Sequence, residues 1–119
     1  MSIERNTNLG SVKISKEAIA TLAGGVVAEC YGVVGMASQK ILKDGFAELL
    51  KKDNYSKGIV VNKKETGYEL DLFLIISFGV KISEVVFEVQ KKVKYELERS
   101  LDEEFKHINV FVQGIKVVD

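Results

Sequence analysis

Apolar and polar positions follow a different rhythm in each stretch of the chain, and each rhythm predicts an element. Residues 9–14, Leu-Gly-Ser-Val-Lys-Ile, alternate enough for a short first strand, and residues 1–8 before it are polar and expected to be flexible. Ser15 then stands before a helical pattern, placed to accept a hydrogen bond from a first-turn amide, with Glu17 adding favourable negative charge. Ile19, Leu22, Ala23, Val26, Val27 and Cys30 recur at helical spacing and make one apolar stripe. Gly24 and Gly25 fall inside this helix at a cost of roughly 1 kcal/mol each relative to Ala, which predicts close packing there. Tyr31-Gly32 reads as the stop, and residues 33–37 as a second strand.

Residues 38–57 predict a short surface helix or two broken turns, because Ile41, Leu42, Phe46, Leu49 and Leu50 have helical spacing but Asp44-Gly45 interrupts them. Residues 58–63 and 68–78 flank the polar turn Lys64-Glu65-Thr66-Gly67 and read as a hairpin. In its second arm Tyr68, Leu70, Leu72, Leu74, Ile76 and Phe78 share one face. The opposite face begins with Glu69 and Asp71 and turns apolar at Phe73 and Ile75, as expected of a central strand that ends covered or in an interface. Ser83 is placed to cap a second helix, with Val85, Val86, Val89, Val93, Leu97 and Leu101 as its buried stripe. Glu88 with Lys92, and Lys92 with Glu96, are spaced to pair on its exposed face. After the acidic break Asp102-Glu103-Glu104, residues 108–117 close the chain as a strand. Ile108, Val110 and Val112 face one way, Phe111, Ile115 and Val117 the other, and Gly114 marks a bulge. The pattern predicts one α+β domain over residues 1–119: a two-layer sandwich with a small mixed sheet of four to five strands and two long amphipathic helices on one face.

Composition narrows the chemistry. The 119 residues carry 17 Lys and Arg against 17 Asp and Glu, so the chain lacks the cationic surplus that broad nucleic-acid or anionic-membrane binding needs. The longest strongly apolar run, residues 72–76, is far short of the roughly 20 residues that span a bilayer, and no secretory signal pattern is present. One Cys and one His exclude an internal disulfide and a zinc cluster. His107 reads as a surface residue at a strand entrance, and Cys30 as core filler near a helix C-terminus, where a thiolate is disfavoured. Neither Gly24-Gly25 nor residues 32–35 match a phosphate loop, and the acidic break lacks calcium-loop spacing. The clusters Lys51-Lys52, Lys63-Lys64 and Lys91-Lys92-Lys94 interleave with acids and read as solvated surface. No catalytic, cofactor-binding or metal-ligating residue is expected.

The pieces in their order carry a resemblance. Gly10-Ser-Val-Lys-Ile-Ser15, Tyr31-Gly-Val-Val-Gly-Met36, Leu70-Asp-Leu-Phe-Leu-Ile-Ile-Ser-Phe-Gly79, Ile82-Ser-Glu-Val-Val86 and Ile108-Asn-Val-Phe-Val-Gln-Gly-Ile115 follow one another at fixed spacing. The chain from Leu9 to Val117 resembles the alkaline shock protein family, also called the envelope stress response family, of mostly Gram-positive bacteria. The resemblance implies a small non-enzymatic cytoplasmic protein linked to cell-envelope homeostasis and stress at high pH. Members lack a transmembrane helix, and some are held at the membrane by a separate integral membrane protein. Others are encoded beside a kinase resembling dihydroxyacetone kinases. The family offers no catalytic residues to carry over.

The expectation is an adaptor or scaffold that self-associates and meets a protein partner, such as a membrane anchor, at the inner face of the membrane. Phe73, Ile75, Phe111 and Ile115 form its candidate interaction surface. Two other classes remain open: a nucleic-acid-binding α+β domain using the second helix's lysines, and a ligand-sensing accessory subunit of a metabolic kinase using a sheet–helix cleft.

Overall fold

The structure is a computed structural model and describes residues 2–41 and 47–118. In chain order it runs through strands β1 (Ser2–Thr7) and β2 (Gly10–Ser15), helix α1 (Lys16–Ala28), strands β3 (Val33–Ile41) and β4 (Ala47–Leu50), and a 3-10 helix (Lys52–Gly58). Strands β5 (Val60–Lys64) and β6 (Gly67–Ser77), helix α2 (Ile82–Leu101) and strand β7 (Phe105–Lys116) complete it. The fold class is the expected α+β one: a five-stranded mixed sheet with the two long helices packed on it, plus a separate β1–β2 hairpin.

β6 is the centre because it is the one described strand that pairs along both sides for most of its length. β7 runs parallel to it from Tyr68 to Ser77. On its other side β5 pairs antiparallel with Gly67–Asp71 and β3 with Leu74–Ile76, one after the other, and β4 adds to β3. Tyr68, Leu70, Leu72, Leu74 and Ile76 are all buried, while the residues between them are half-buried. That strict alternation sends one face into the core, where each fully buried aliphatic contributes roughly 1.5–3 kcal/mol. The helices supply the facing stripes: Ile19, Ala23 and Val27 from α1, and Val85, Val89, Val93, Leu97 and Leu101 from α2.

Local chemistry fixes the element ends. Ser15 Oγ accepts from Ala18 N at 3.0 Å, capping α1 as its position predicts. Gly32, at φ +87°, turns the chain from α1 into β3 where an L side chain would be strained. Helix α2 ends on Asp102 in the left-handed region, and Arg5 from β1 closes that end, its guanidinium donating to the carbonyls of Leu101 and Asp102 and pairing with Glu103. Glu98 ties the same region to β7: its carboxylate accepts from Lys94 Nζ at 2.9 Å and Phe105 N at 2.8 Å.

Several expectations are corrected. Of residues 1–8, expected to be flexible, Ser2–Thr7 form a strand, because pairing with β2 buries Ile3 and brings Arg5 to α2; Met1 lies outside the described residues. Residues 38–57 are not a surface helix, since β3 extends to Ile41 and pairs with β4, and the 3-10 helix follows; residues 42–46 lie outside the described residues. Ser83 does not cap α2. Lys81 holds that position without a side-chain hydrogen bond, and Ser83 lies one residue inside the helix. The ion pairs on α2 are Lys91–Glu88, Lys94–Glu98 and Arg99–Glu96 rather than the expected pairs through Lys92. Phe78 lies beyond the end of β6 and is 68% exposed.

Candidate functional site

The sheet has one face under the helices and one without them, and the second carries the candidate residues. On β6 the outward set is Glu69, Asp71, Phe73 and Ile75, all half-buried. The parallel register sets Asn109 of β7 beside Asp71 and Phe111 beside Phe73. The two phenyl rings stack with centroids 5.0 Å apart and planes 15° from parallel. Phe111 remains 45% exposed, so the stack presents an aromatic surface to solvent. Ile75 continues it toward Gly35 of β3.

The other half of this open face is acidic. Asn109 Nδ2 donates to Asp71 Oδ1 at 2.9 Å and Glu69 Oε1 at 3.2 Å. The amide holds two carboxylates side by side without cancelling their charge, and no described cation forms an ion pair with either. A carboxylate pair therefore adjoins a stacked aromatic pair on one strand face.

Phe73, Ile75 and Phe111 are thus brought together, and Ile115 is not. The β6–β7 register shifts between Leu74 and Ile75, so that Gly114 opposes Ile75 and Ile115 opposes Ile76. The extra residue is the bulge expected at Gly114, and it reverses the parity of everything after it. Ile115 then takes the parity of Ile76 at the end of the sheet, 47% exposed. β7 pairs with β6 alone among the described strands, which leaves its outer edge unpaired over twelve residues.

The remaining chemistry-bearing residues are accounted for structurally. Cys30 is buried, and burial pushes its thiol up, away from the reactive thiolate. His107 is exposed in β7 beside Glu69. Among the described residues no group of three His, Cys, Asp or Glu could hold a metal ion, and no helix is long and apolar enough to cross a membrane. A groove of about 890 Å³ lies between the exposed sides of α1 and α2, with Leu22, Gly25 and Val26 along α1 and charged residues from both helices around them.

One further surface has a sequence signal that buried stripes do not reveal. Phe87, Lys91, Tyr95 and Arg99 recur every fourth residue along α2, so they form a single row opposite the stripe Val85–Val89–Val93–Leu97. Phe87 is 60% and Tyr95 62% exposed. Lys91 Nζ sits 5.8 Å from the Phe87 ring centroid and Arg99 Cζ 5.9 Å from that of Tyr95, so each aromatic carries a cation at its side.

Comparison with known proteins decides the family. Residues 4–117 match the alkaline shock protein 23 family, described as having a cell envelope-related function. The chain belongs to that family. It is 44% identical over 119 residues to the uncharacterized protein YloU of Bacillus subtilis (strain 168), a match covering 100% of this chain and 99% of YloU. It is 46% identical over 118 residues to the uncharacterized protein Spy1614 of Streptococcus pyogenes serotype M6, covering 99% and 98% of the two chains. A more distant B. subtilis relative, the uncharacterized protein YqhY, is 31% identical over 111 residues, covering 93% and 81%. No solved structure matches the chain. The family match spans both the open face and the outer row of α2, so the resemblance drawn from the motif order and this assignment agree.

Proposed function

We propose that this alkaline shock protein 23 family member serves its envelope-related role as a cytoplasmic adaptor or scaffold, acting by protein–protein contact at the inner face of the membrane and not by catalysis. The open face of β6–β7 is the contact surface. The observation that carries this reading is the Phe73–Phe111 stack, left solvent-facing and continued by Ile75 on the side of the sheet that the helices do not cover. Apolar surface of that kind, rimmed by polar groups, marks interaction sites on soluble domains. The acidic half of the face disfavours direct docking on an anionic lipid surface, so the membrane would be reached through a protein.

The test is co-purification of tagged protein from its native cell, comparing the wild type with Phe111→Lys, together with membrane fractionation. Partner recovery and membrane association that both fall with the variant, while its circular dichroism and melting temperature hold, support the reading. Equal recovery from both proteins overturns the assignment of the contact to this face.

A further inference from the structure

We propose that the occupant of the open sheet face is the outer row of α2 from a second copy of this chain. The inference rests on the open face being a contact surface, and adds what covers it. The open face offers a carboxylate pair, Glu69 and Asp71, next to the aromatic pair Phe73 and Phe111. The outer row of α2 offers the complement, an aromatic followed by a cation, and offers it twice, as Phe87 with Lys91 and Tyr95 with Arg99. The spacings agree as well as the charges. Asp71 and Phe73 are two residues apart on a strand, about 7 Å. Phe87 and Lys91 are four apart on a helix, about 6 Å. An α2 ring laid on the Phe73–Phe111 stack therefore brings the neighbouring cation over Asp71 and Glu69.

The row's own ion pairs do not prevent this. Lys91 to Glu88 is 3.8 Å, with both side chains more than half exposed, so the pair is weak and exchangeable; Arg99 lies closer to Glu96, at 2.6 Å, with its own side chain 59% exposed. Each copy carries both surfaces, on opposite sides of the two-layer domain: the row faces away from the stripe that packs on the sheet, and the open face lies on the sheet's far side. The contact is accordingly heterologous. The same patch does not meet itself, and addition continues from copy to copy instead of closing as a two-fold dimer.

The experiment is sedimentation velocity of the purified full chain across micromolar concentrations, with two variants that block one surface each. Phe111→Lys blocks the sheet face, and Lys91→Glu with Arg99→Glu blocks the helix row; Lys91 and Arg99 are more than half exposed and Phe111 is 45% exposed, and circular dichroism checks the folding of each variant. The wild type is expected to grow past the dimer with concentration, and either variant alone to weaken self-association by about tenfold or more. An equimolar mixture of the two variants keeps one intact sheet face and one intact helix row, so it is expected to form a dimer and stop there. A monomeric wild type overturns the inference and leaves the contact surface open to another protein. Loss of assembly in Phe111→Lys but not in the helix variant also overturns it, pointing to pairing through the sheet face or the free β7 edge. Assembly unchanged in both variants overturns the inference and the proposed contact surface together.

Discussion

Gly24 and Gly25 are neighbours in one helix, yet alanine at each should have different consequences. Each glycine costs the helix roughly 1 kcal/mol relative to alanine through backbone entropy. At Gly25 an added Cβ meets nothing within 4 Å, so the whole gain should appear as stability. At Gly24 the same Cβ would lie 3.2 Å from Ser56 N and 3.3 Å from Tyr55 Cβ. Both atoms belong to the 3-10 helix, and Tyr55 is buried, so they can yield only by moving packed backbone. Gly25→Ala should thus raise stability by about 1 kcal/mol, equivalent to about 4 °C in melting temperature for a domain of this size. Gly24→Ala should show no gain or a loss. Paired thermal and urea unfolding of the two variants measures the difference. A Gly24→Ala protein as stabilised as Gly25→Ala would refute the close approach of α1 to the 3-10 helix, and a destabilised Gly25→Ala would refute the open position.

The other expectations concern α2 and what is tied to it. Leu97→Ala, on the buried stripe, should cost about 2–5 kcal/mol, whereas Tyr95→Ala, two residues away on the outer row, should stay within about 0.5 kcal/mol, both read by urea denaturation. Arg5→Ala removes donors to the carbonyls that end α2 and should cost about 1.5–3 kcal/mol, with amide exchange rising first in β1 and β2. Partial burial pushes the Glu98 carboxyl up, but the hydrogen bonds from Lys94 and Phe105 outweigh it and hold its pKa below the ordinary value. A depressed folded-state pKa stabilises above the unfolded value and is lost as pH falls through the folded one. Glu98→Gln should accordingly flatten the acid side of the stability–pH curve, checked by urea midpoints across the carboxylate range.

The core is legible in the sequence wherever one strict rhythm runs unbroken. Tyr68 to Ile76 alternate and Val85 to Leu101 step by four, and these are the central strand and the second helix. Strand β2 is legible in the alternation of residues 9–14, but its partner β1 is not, because Ile3 is the one buried anchor among its described side chains and its main tie, Arg5, reaches residues more than ninety positions away. β4 hides because Leu49 and Leu50 fall at helical spacing, while what makes them a strand is pairing with β3. On the candidate surface, Phe73 and Ile75 announce themselves by breaking the polar side of β6. The stack of Phe73 on Phe111 needs the parallel register, which no local pattern encodes. Counting parity across a bulge puts Ile115 on the wrong face, although the bulge itself is visible at Gly114. The acidic pair is visible as Glu69 and Asp71, but its link to Asn109 again requires the register.

The central claim, that the open face of β6–β7 is where this protein meets its partners, is tested most directly by site-specific photocrosslinking in the native cell. A photoreactive residue replaces Phe111, with a control at Glu65 in the polar turn between β5 and β6. Discrete protein adducts from position 111, absent from position 65, are the expected result. Adducts of equal yield and pattern from both positions, or none from position 111, would contradict it.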